Sequence, residues 1–205
     1  MRVTRTQAEA NREAVIDAAS QLFREHGFDG IGLKDLMNAA GLTQGAFYKQ
    51  FRSKDDLIAQ ASRRALDRTA EDWLAAVADT AAPFQALVSH YLSMEHRAGK
   101  SGGCPLVALG ADAARQTEEV RVPFQEGIET NLRLLDSLLP LPEGAKPYPI
   151  AATVLSLMVG ALTISRVMTD TELAEQVLKT AKEEIFRIVQ CAYRAADAPT
   201  PLSPD

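Results

Sequence analysis

Apolar residues recur at three- and four-residue spacing along most of the chain, and strand-like alternation is nearly absent. Val15, Ile16, Ala19, Leu22 and Phe23 predict a helix over about 7–26, entered through a Thr6–Glu9 capping box and ended by Gly27. Gly30 and Gly32 make a turn before a short helix, LKDLMNAA, which Gly41 stops. A second short helix, entered through Thr43, covers TQGAFYKQF. Ser53 with Asp56 forms another capping box, opening a helix to about Val77 that carries Leu57, Ile58, Ala61, Ala65 and Leu66 on one stripe. Pro83 opens the next helix, with Phe84, Leu87, Val88, Tyr91 and Leu92 as its apolar face. After a loop at Gly99–Gly103, Pro105 opens a helix to about Gln116. Phe124, Ile128, Leu132, Leu135 and Leu139 mark one that stops at Pro140 and Pro142. A connector, PLPEGAKPYP, leads to Ile150–Met168, which is apolar almost all round. The last helix carries Leu173, Val177, Leu178, Ala181, Ile185, Val189 and Ala192. The Pro-rich tail 196–205 is expected to be disordered. The expected fold class is all-α, with about nine helices and no strand.

Composition narrows the function. At 46% hydrophobic the chain can bury a core, and its net charge of −5 argues against binding DNA by bulk positive charge. The charge is unevenly spread. Residues 1–68 carry about +2 and the rest about −7. Two cysteines, Cys104 and Cys191, make no disulfide scaffold, and no zinc spacing is present. No apolar leader is visible at the N-terminus. The most apolar run, Pro149–Ser165, is shorter than the roughly 20 residues a membrane span needs. A soluble, cytoplasmic protein is the expectation.

Residues 33–51 have helix-turn-helix spacing. Ala39 and Ala40 are small enough for the helices to cross closely, and Gly41 supplies a positive φ. Leu36, Leu42, Phe47 and Phe51 should face inward. Thr43, Gln44, Gly45, Tyr48 and Lys49 should face outward, with the N-terminal residues of the second helix at base edges.

Extended to AAGLTQGAFYKQFRSKDDL, this pattern strongly resembles the TetR family of bacterial transcriptional regulators. The typical form runs Ala-Gly-(Val/Leu)-(Ser/Thr)-x-Gly-x-(Phe/Tyr)-Tyr-x-x-Phe-x-(Ser/Asn)-Lys-x-x-Leu, and the match covers Ala40 to Leu57. Leu22, Phe23, Gly27 and Phe28 end the helix before it as the family does. The resemblance implies that Thr43 caps the recognition helix and touches phosphate or base, and that Gln44 reads a base, its amide suiting adenine. It implies that Gly45 lets the backbone approach the duplex, Tyr48 donates to phosphate, and Lys49 contacts backbone or bases. Lys54 and Lys34 become phosphate contacts, and Arg2 and Arg5 a flexible arm. Gly32 stands where the family usually has a hydroxyl residue, and Met37 where it has a small one, so packing there should differ slightly.

Three regions follow: a DNA-binding domain at 1–53, an effector-binding and dimerisation domain at 54–195 whose first helix (about 54–77) links the two, and the tail 196–205. The resemblance implies a homodimer through the last two helices. Ala152, Ser156 and Gly160 on one, with Val177, Ala181 and Ile185 on the other, are the candidate interface. The penultimate helix is also too apolar for a lone surface helix. Trp73, Phe84, Leu87, Tyr91, Met94, Cys104, Phe124 and Ile128 are candidate lining for an effector pocket. Cys104 opens a helix beside glycines, where a thiolate is favoured. Some regulators of this type carry a Gly-Cys pair in a similar place and respond to electrophiles or oxidants.

Enzymatic chemistry is not indicated. A di-iron bundle needs Glu-x-x-His pairs, and Phe23, Leu87 and Ser93 precede the three histidines at that spacing. No phosphate loop, metal set or cofactor site is seen. A helical adaptor is the other alternative, and it gives Tyr48, Lys49 and Lys54 no purpose. The expected protein is a dimeric repressor. It holds a palindromic double-stranded operator and is released by an unidentified small molecule or by thiol modification.

Overall fold

A computed structural model describes residues 4–139 and 147–196. Arg2, the connector residues 140–146 and the tail 197–205 lie outside the described residues. Among the described residues there are nine α-helices, one 3-10 helix and no strand, as the spacing implied. They are α1 (Arg5–His26), α2 (Leu33–Ala39), the 3-10 helix (Gln44–Lys49), α3 (Lys54–Val77), α4 (Pro83–Tyr91), α5 (Met94–Ala98), α6 (Pro105–Ala113), α7 (Glu118–Leu138), α8 (Pro147–Val167) and α9 (Thr171–Ala196). The chain forms two compact units. One takes the chain through Leu74 together with Glu95–Glu129; the other takes Ala75–Met94 and the chain from Thr130 on.

Several ends fall where local chemistry put them. Gly27 closes α1 at φ 77°, its N–H donating to Phe23 O at 2.8 Å. Pro83 and Pro105 open their helices, where a missing N–H costs nothing. The start of α1 is different from expectation. Thr4, not Thr6, is the cap, its Oγ1 accepting the Gln7 N–H at 3.2 Å. The short α5 has no apolar stripe and was not foreseen.

The core of the first unit is built on α1. Val15, Ile16, Ala19 and Phe23 are at most 4% exposed, and they meet Leu36, Met37, Phe47, Phe51, Leu57 and Ile58. Later chain completes it: Leu109 and Ala113 of α6, and Val120 and Phe124 of α7, belong to the same cluster. Phe28 is the joint, edge-on to Phe23 at 5.5 Å and to Phe124 at 6.4 Å. Polar clamps run along the outside. Arg64 of α3 bonds both Glu13 and Asp17 of α1, and Arg68 reaches Asp17 at 2.9 Å. Arg12 donates to Gln60 and lies 5.4 Å above the Phe51 ring.

In the second unit α8 and α9 pack along one another. Ala151, Val154, Leu155, Met158 and Leu162 of α8 and Ala174, Leu178, Ile185 and Val189 of α9 are buried. α4 joins α9 through Phe84 and Phe186, whose rings are 6.3 Å apart. α8 is 21 residues long, so the expectation that its apolar run is too short for a membrane fails. Tyr148–Val167 is long and apolar enough to cross one by length and composition, with a mean hydropathy of 1.8. One side of this helix is nevertheless packed against α9.

The shared core predicts a sharp contrast along α7. Phe124→Ala should lower unfolding free energy by about 3 kcal/mol or more in urea titration, as aromatic deletions from a core do. Ile128→Ala, one turn on and 36% exposed, should change it by less than about 0.5 kcal/mol.

Candidate nucleic-acid interface

The turn between α2 and the 3-10 helix is a Schellman motif. The Gly41 N–H donates to Asn38 O and the Leu42 N–H to Met37 O, both at 2.9 Å, with Gly41 at φ 71°. Leu42, the residue after the left-handed glycine, is half-buried against the core. Ala40 is half-buried at the corner, but Ala39 is exposed and so does not set the helix crossing. Gly32 caps α2 through its backbone alone, and Met37 is fully buried, filling space a smaller residue would leave.

Thr43 precedes the second helix in extended conformation, but its side chain caps nothing. That helix is 3-10 over Gln44–Lys49, not the α-helix expected. Such a short, tight helix has poor hydrogen-bond geometry and needs tertiary support. Phe47 supplies it: fully buried, it stacks on Phe51 at 5.4 Å. Around it Thr43, Gln44, Gly45 and Lys49 are exposed, and Tyr48 is 74% exposed, braced edge-on against Phe47 at 5.1 Å. No atom lies within 4 Å of where a Gly45 Cβ would stand, so nothing inside the free protein demands glycine there. Lys34 on α2 is exposed too. Lys54 is placed differently. It is half-buried, its Nζ donates to Phe28 O at 2.6 Å, and Asp29 is 3.9 Å away, so it ties the start of α3 to the loop after α1.

The start of α3 is tightly built. Ser53 Oγ accepts the Asp56 N–H at 3.0 Å, as the capping box predicts, while Asp56 Oδ2 accepts the Arg52 N–H at 2.9 Å. Gln60 donates to Asp56 Oδ1 at 2.7 Å. Burial pushes the Asp56 carboxyl up, but these hydrogen bonds and the Arg52 guanidinium outweigh it and leave its pKa below the usual value.

The expected effector residues do not gather in one unit. Trp73, Cys104, Phe124 and Ile128 belong to the first; Phe84, Leu87, Tyr91 and Met94 belong to the second. Phe124 is core, and Ile128 is too exposed to line an enclosed pocket. Phe84 alone among them lines a described groove of the second unit, about 650 Å³, with Phe186, Arg187, Val189 and Tyr193.

Cys104 is 2% exposed, so its neighbouring glycines do not leave it open. Its N–H donates to His96 Nε2 at 3.1 Å, so His96 helps hold the start of α6. Arg24, 8% exposed, was also missed. Its Nη1 donates to Gly103 O at 3.0 Å and its Nε to Ser20 O at 2.8 Å. Burial and then Arg68 lower the Arg24 pKa, while attraction to the Cys104 sulfur, Asp72 and Glu25 opposes them.

On the α8–α9 face Ser156 is exposed, and Ala152, Gly160, Val177 and Ala181 are half-buried. Ile185 is fully buried in its own chain, so it packs the internal core instead of facing outward. Ser156, Gly160, Val177 and Ala181 line a groove of about 550 Å³ together with Ile164 and Leu173. Ile164 and Leu173 are exposed, at 52% and 46%, and Val167 at the end of α8 is 80% exposed. Continuing the four-residue spacing from Gly160 would have found Ile164. Among the described residues no group of His, Cys, Asp and Glu is placed to hold a metal.

A short helix pair closed by a glycine turn, with the second helix pinned by one buried ring and its polar side chains uncovered, defines a helix-turn-helix protein. Residues 15–61 match the family described as "Bacterial regulatory proteins, tetR family". Over that segment the chain is similar to the helix-turn-helix part of that family. It is similar to the HTH-type transcriptional regulator AcrR of Shigella flexneri, 36% identical over 59 residues, 29% of this chain and 27% of that one. It thus spans about a quarter of that relative. To the HTH-type transcriptional repressor NemR of Escherichia coli it is 25% identical over 185 residues, covering 85% of this chain and 93% of the relative. The crystal structure of the reduced form of E. coli NemR has the same fold, with a TM-score of 0.70 at 23% identity, covering 85% of this chain and 96% of that one.

The box at the start of α3 makes a pH-dependent prediction. Asp56→Ala should cost about 1–2 kcal/mol at pH 7. Because the folded pKa is depressed, the wild-type advantage is present above about pH 4 and lost as the pH falls through the folded value. Urea titrations of both proteins from pH 7 to 3 should converge at the acid end.

Proposed function

We infer that this chain is a ligand-responsive repressor that binds double-stranded DNA as a homodimer. The observation that carries the reading is the set Thr43, Gln44, Gly45, Tyr48 and Lys49, all uncovered around the fully buried Phe47. Gln44, at the N-terminal end of the second helix, reads a base edge. Tyr48 and Lys49 take phosphate, joined by Lys34 and by Arg5, which is the first residue of α1 and not part of a flexible arm. Gly45 lets the backbone come close. Lys54 touches phosphate only after giving up its bond to Phe28 O. The working division is a reading head at 1–53 and an effector and dimerisation part at 54–195.

A second copy covers the apolar α8–α9 face, and a two-fold pair of reading heads, about 34 Å apart, matches a palindromic operator. An effector that favours a conformer with misplaced heads releases the DNA, by as much as its differential affinity for the two states. Thiol modification at Cys104 is the finer reading of that effector. Support comes from its place at the start of α6 and from the Arg24 guanidinium on the adjoining Gly103 carbonyl.

Selection of bound duplexes from a random pool tests the reading. Binding should weaken steeply with salt. Tyr48→Phe should weaken all sequences alike, Gln44→Ala should relax preference at one base pair per half-site, and Gly45→Ala should melt like wild type yet bind DNA less tightly. A Gln44→Ala protein with unchanged preference refutes the base-reading role. For the thiol reading, iodoacetamide should alkylate Cys104 in the native protein, in a Cys191→Ser background, and lower duplex affinity. An inert Cys104, or an adduct that binds DNA like the free thiol, would rule it out.

A further inference from the structure

Arg52 lies between the exposed Lys49 and the start of α3, and its side chain is 81% exposed. It is nevertheless occupied. Its Nη2 donates to Glu119 Oε1 at 2.8 Å and lies 3.4 Å from Asp56 Oδ1. Glu119 stands on the first turn of α7, 67 residues along the chain. That turn is anchored by the fully buried Val120, and beside it Thr117 Oγ1 donates to Asp55 Oδ2 at 3.2 Å. Glu119 is therefore a carboxylate fixed at the border of the reading surface, not a freely swinging side chain. A guanidinium fork accepts carboxylate or phosphate with the same geometry, and cannot serve both with the same N–H groups.

We propose that Arg52 is a further phosphate-contacting residue, held off DNA by Glu119 of α7, so that the position of α7 sets how many cations the reading head offers. The idea rests on the DNA-binding function proposed above. The two carboxylates at Arg52, Glu119 and Asp56, do different work. Asp56 is committed to the Arg52 N–H and to Gln60, so it stays when the fork leaves. Glu119 makes one described bond, to Arg52, at an exposed site where ion pairs are weak. Phosphate can therefore displace it, at a cost in affinity. An effector that draws the first turn of α7 away from Arg52 tightens DNA binding, and one that presses it closer loosens it.

The test uses the full chain and a duplex selected by the wild-type protein, with affinity read by fluorescence anisotropy across a salt series. Glu119→Gln should bind about three- to fivefold more tightly than wild type. Arg52→Gln should bind about tenfold more weakly, with a log–log salt slope shallower by about one. In the Arg52→Gln background, Glu119→Gln should add nothing. Arg52→Lys, which keeps the charge without the fork, should keep most of the slope. Glu119→Gln binding like wild type overturns the proposal. So does an equal gain in both backgrounds, because a general loss of negative charge would then explain it. A wild-type chain with no duplex affinity at any salt overturns the proposed function together with this inference, whereas a DNA-binding wild type with an inert Glu119→Gln overturns this inference alone.

Discussion

Everything on the reading surface depends on the burial of Phe47. A six-residue 3-10 helix has too few hydrogen bonds to persist by itself. Its conformation is held by one ring that is fully buried, stacked on Phe51 and braced edge-on by Tyr48. With that ring fixed, the short helix can turn only one face inward. Ala46 follows Phe47 part-way into the core, while Gln44, Gly45, Tyr48 and Lys49 are left facing out. The Schellman turn at Gly41 sets the angle at which this helix leaves α2. Burial and turn together leave little freedom in where Gln44 and Tyr48 point.

The same ring ties the surface to distant chain. Phe47 and Phe51 share a core with Phe28, and Phe28 meets Phe124. The first half of α7 is thus part of the scaffold under the exposed residues of the short helix. The polar contacts follow the same lines. Arg64 and Arg68 bind α3 to α1, while Arg63 of α3 pairs with Glu126 of α7 and Arg52, just before α3, pairs with Glu119. α3 is therefore held on two sides by elements with different neighbours. A shift of α7 cannot leave the start of α3 untouched, because apolar and ionic contacts would both have to give. Packed cores change between discrete arrangements more readily than they bend.

What could be read from the chain divides along the range of the interactions involved. Gly27, Gly41, Ser53, Pro83 and Pro105 were legible because each acts on backbone within a turn. The inward and outward faces of residues 42–51 were legible because Phe47 and Phe51 stand at helical spacing. The start of α1 was not, since Thr4 with Gln7 and Thr6 with Glu9 are competing caps two residues apart. Nor was the 3-10 form, because over six residues both helix types put the same ring inward. Lys54 was expected on phosphate, but a carbonyl 26 residues back holds it, and spacing carries no record of such a bond. Arg24 and His96 were missed for the same reason. Ile185 and Ile128 show a finer failure. A hydrophobic stripe marks which residues leave water, but not whether their partner is the same chain, another chain or nothing at all.

That last ambiguity can be narrowed by physical argument at α8. One face of the helix is filled by α9, with Ala151, Val154, Met158 and Leu162 buried. Ile164 and Val167 of α8 and Leu173 of α9 stay exposed. Scattered exposed apolar residues need no explanation, but Ile164 and Leu173 line one groove together with Gly160 and Ala181. Small residues in the floor and branched ones at the rim suit another helix better than a small molecule, because a helix can lay its own ridge along the groove. A membrane would ask for apolar surface all round α8, whereas α9 brings Glu184, Gln176 and Thr180 to the same groove. A covering helix with both apolar and polar positions satisfies both kinds of lining, and the amphipathic pair α8–α9 of a second copy has that character.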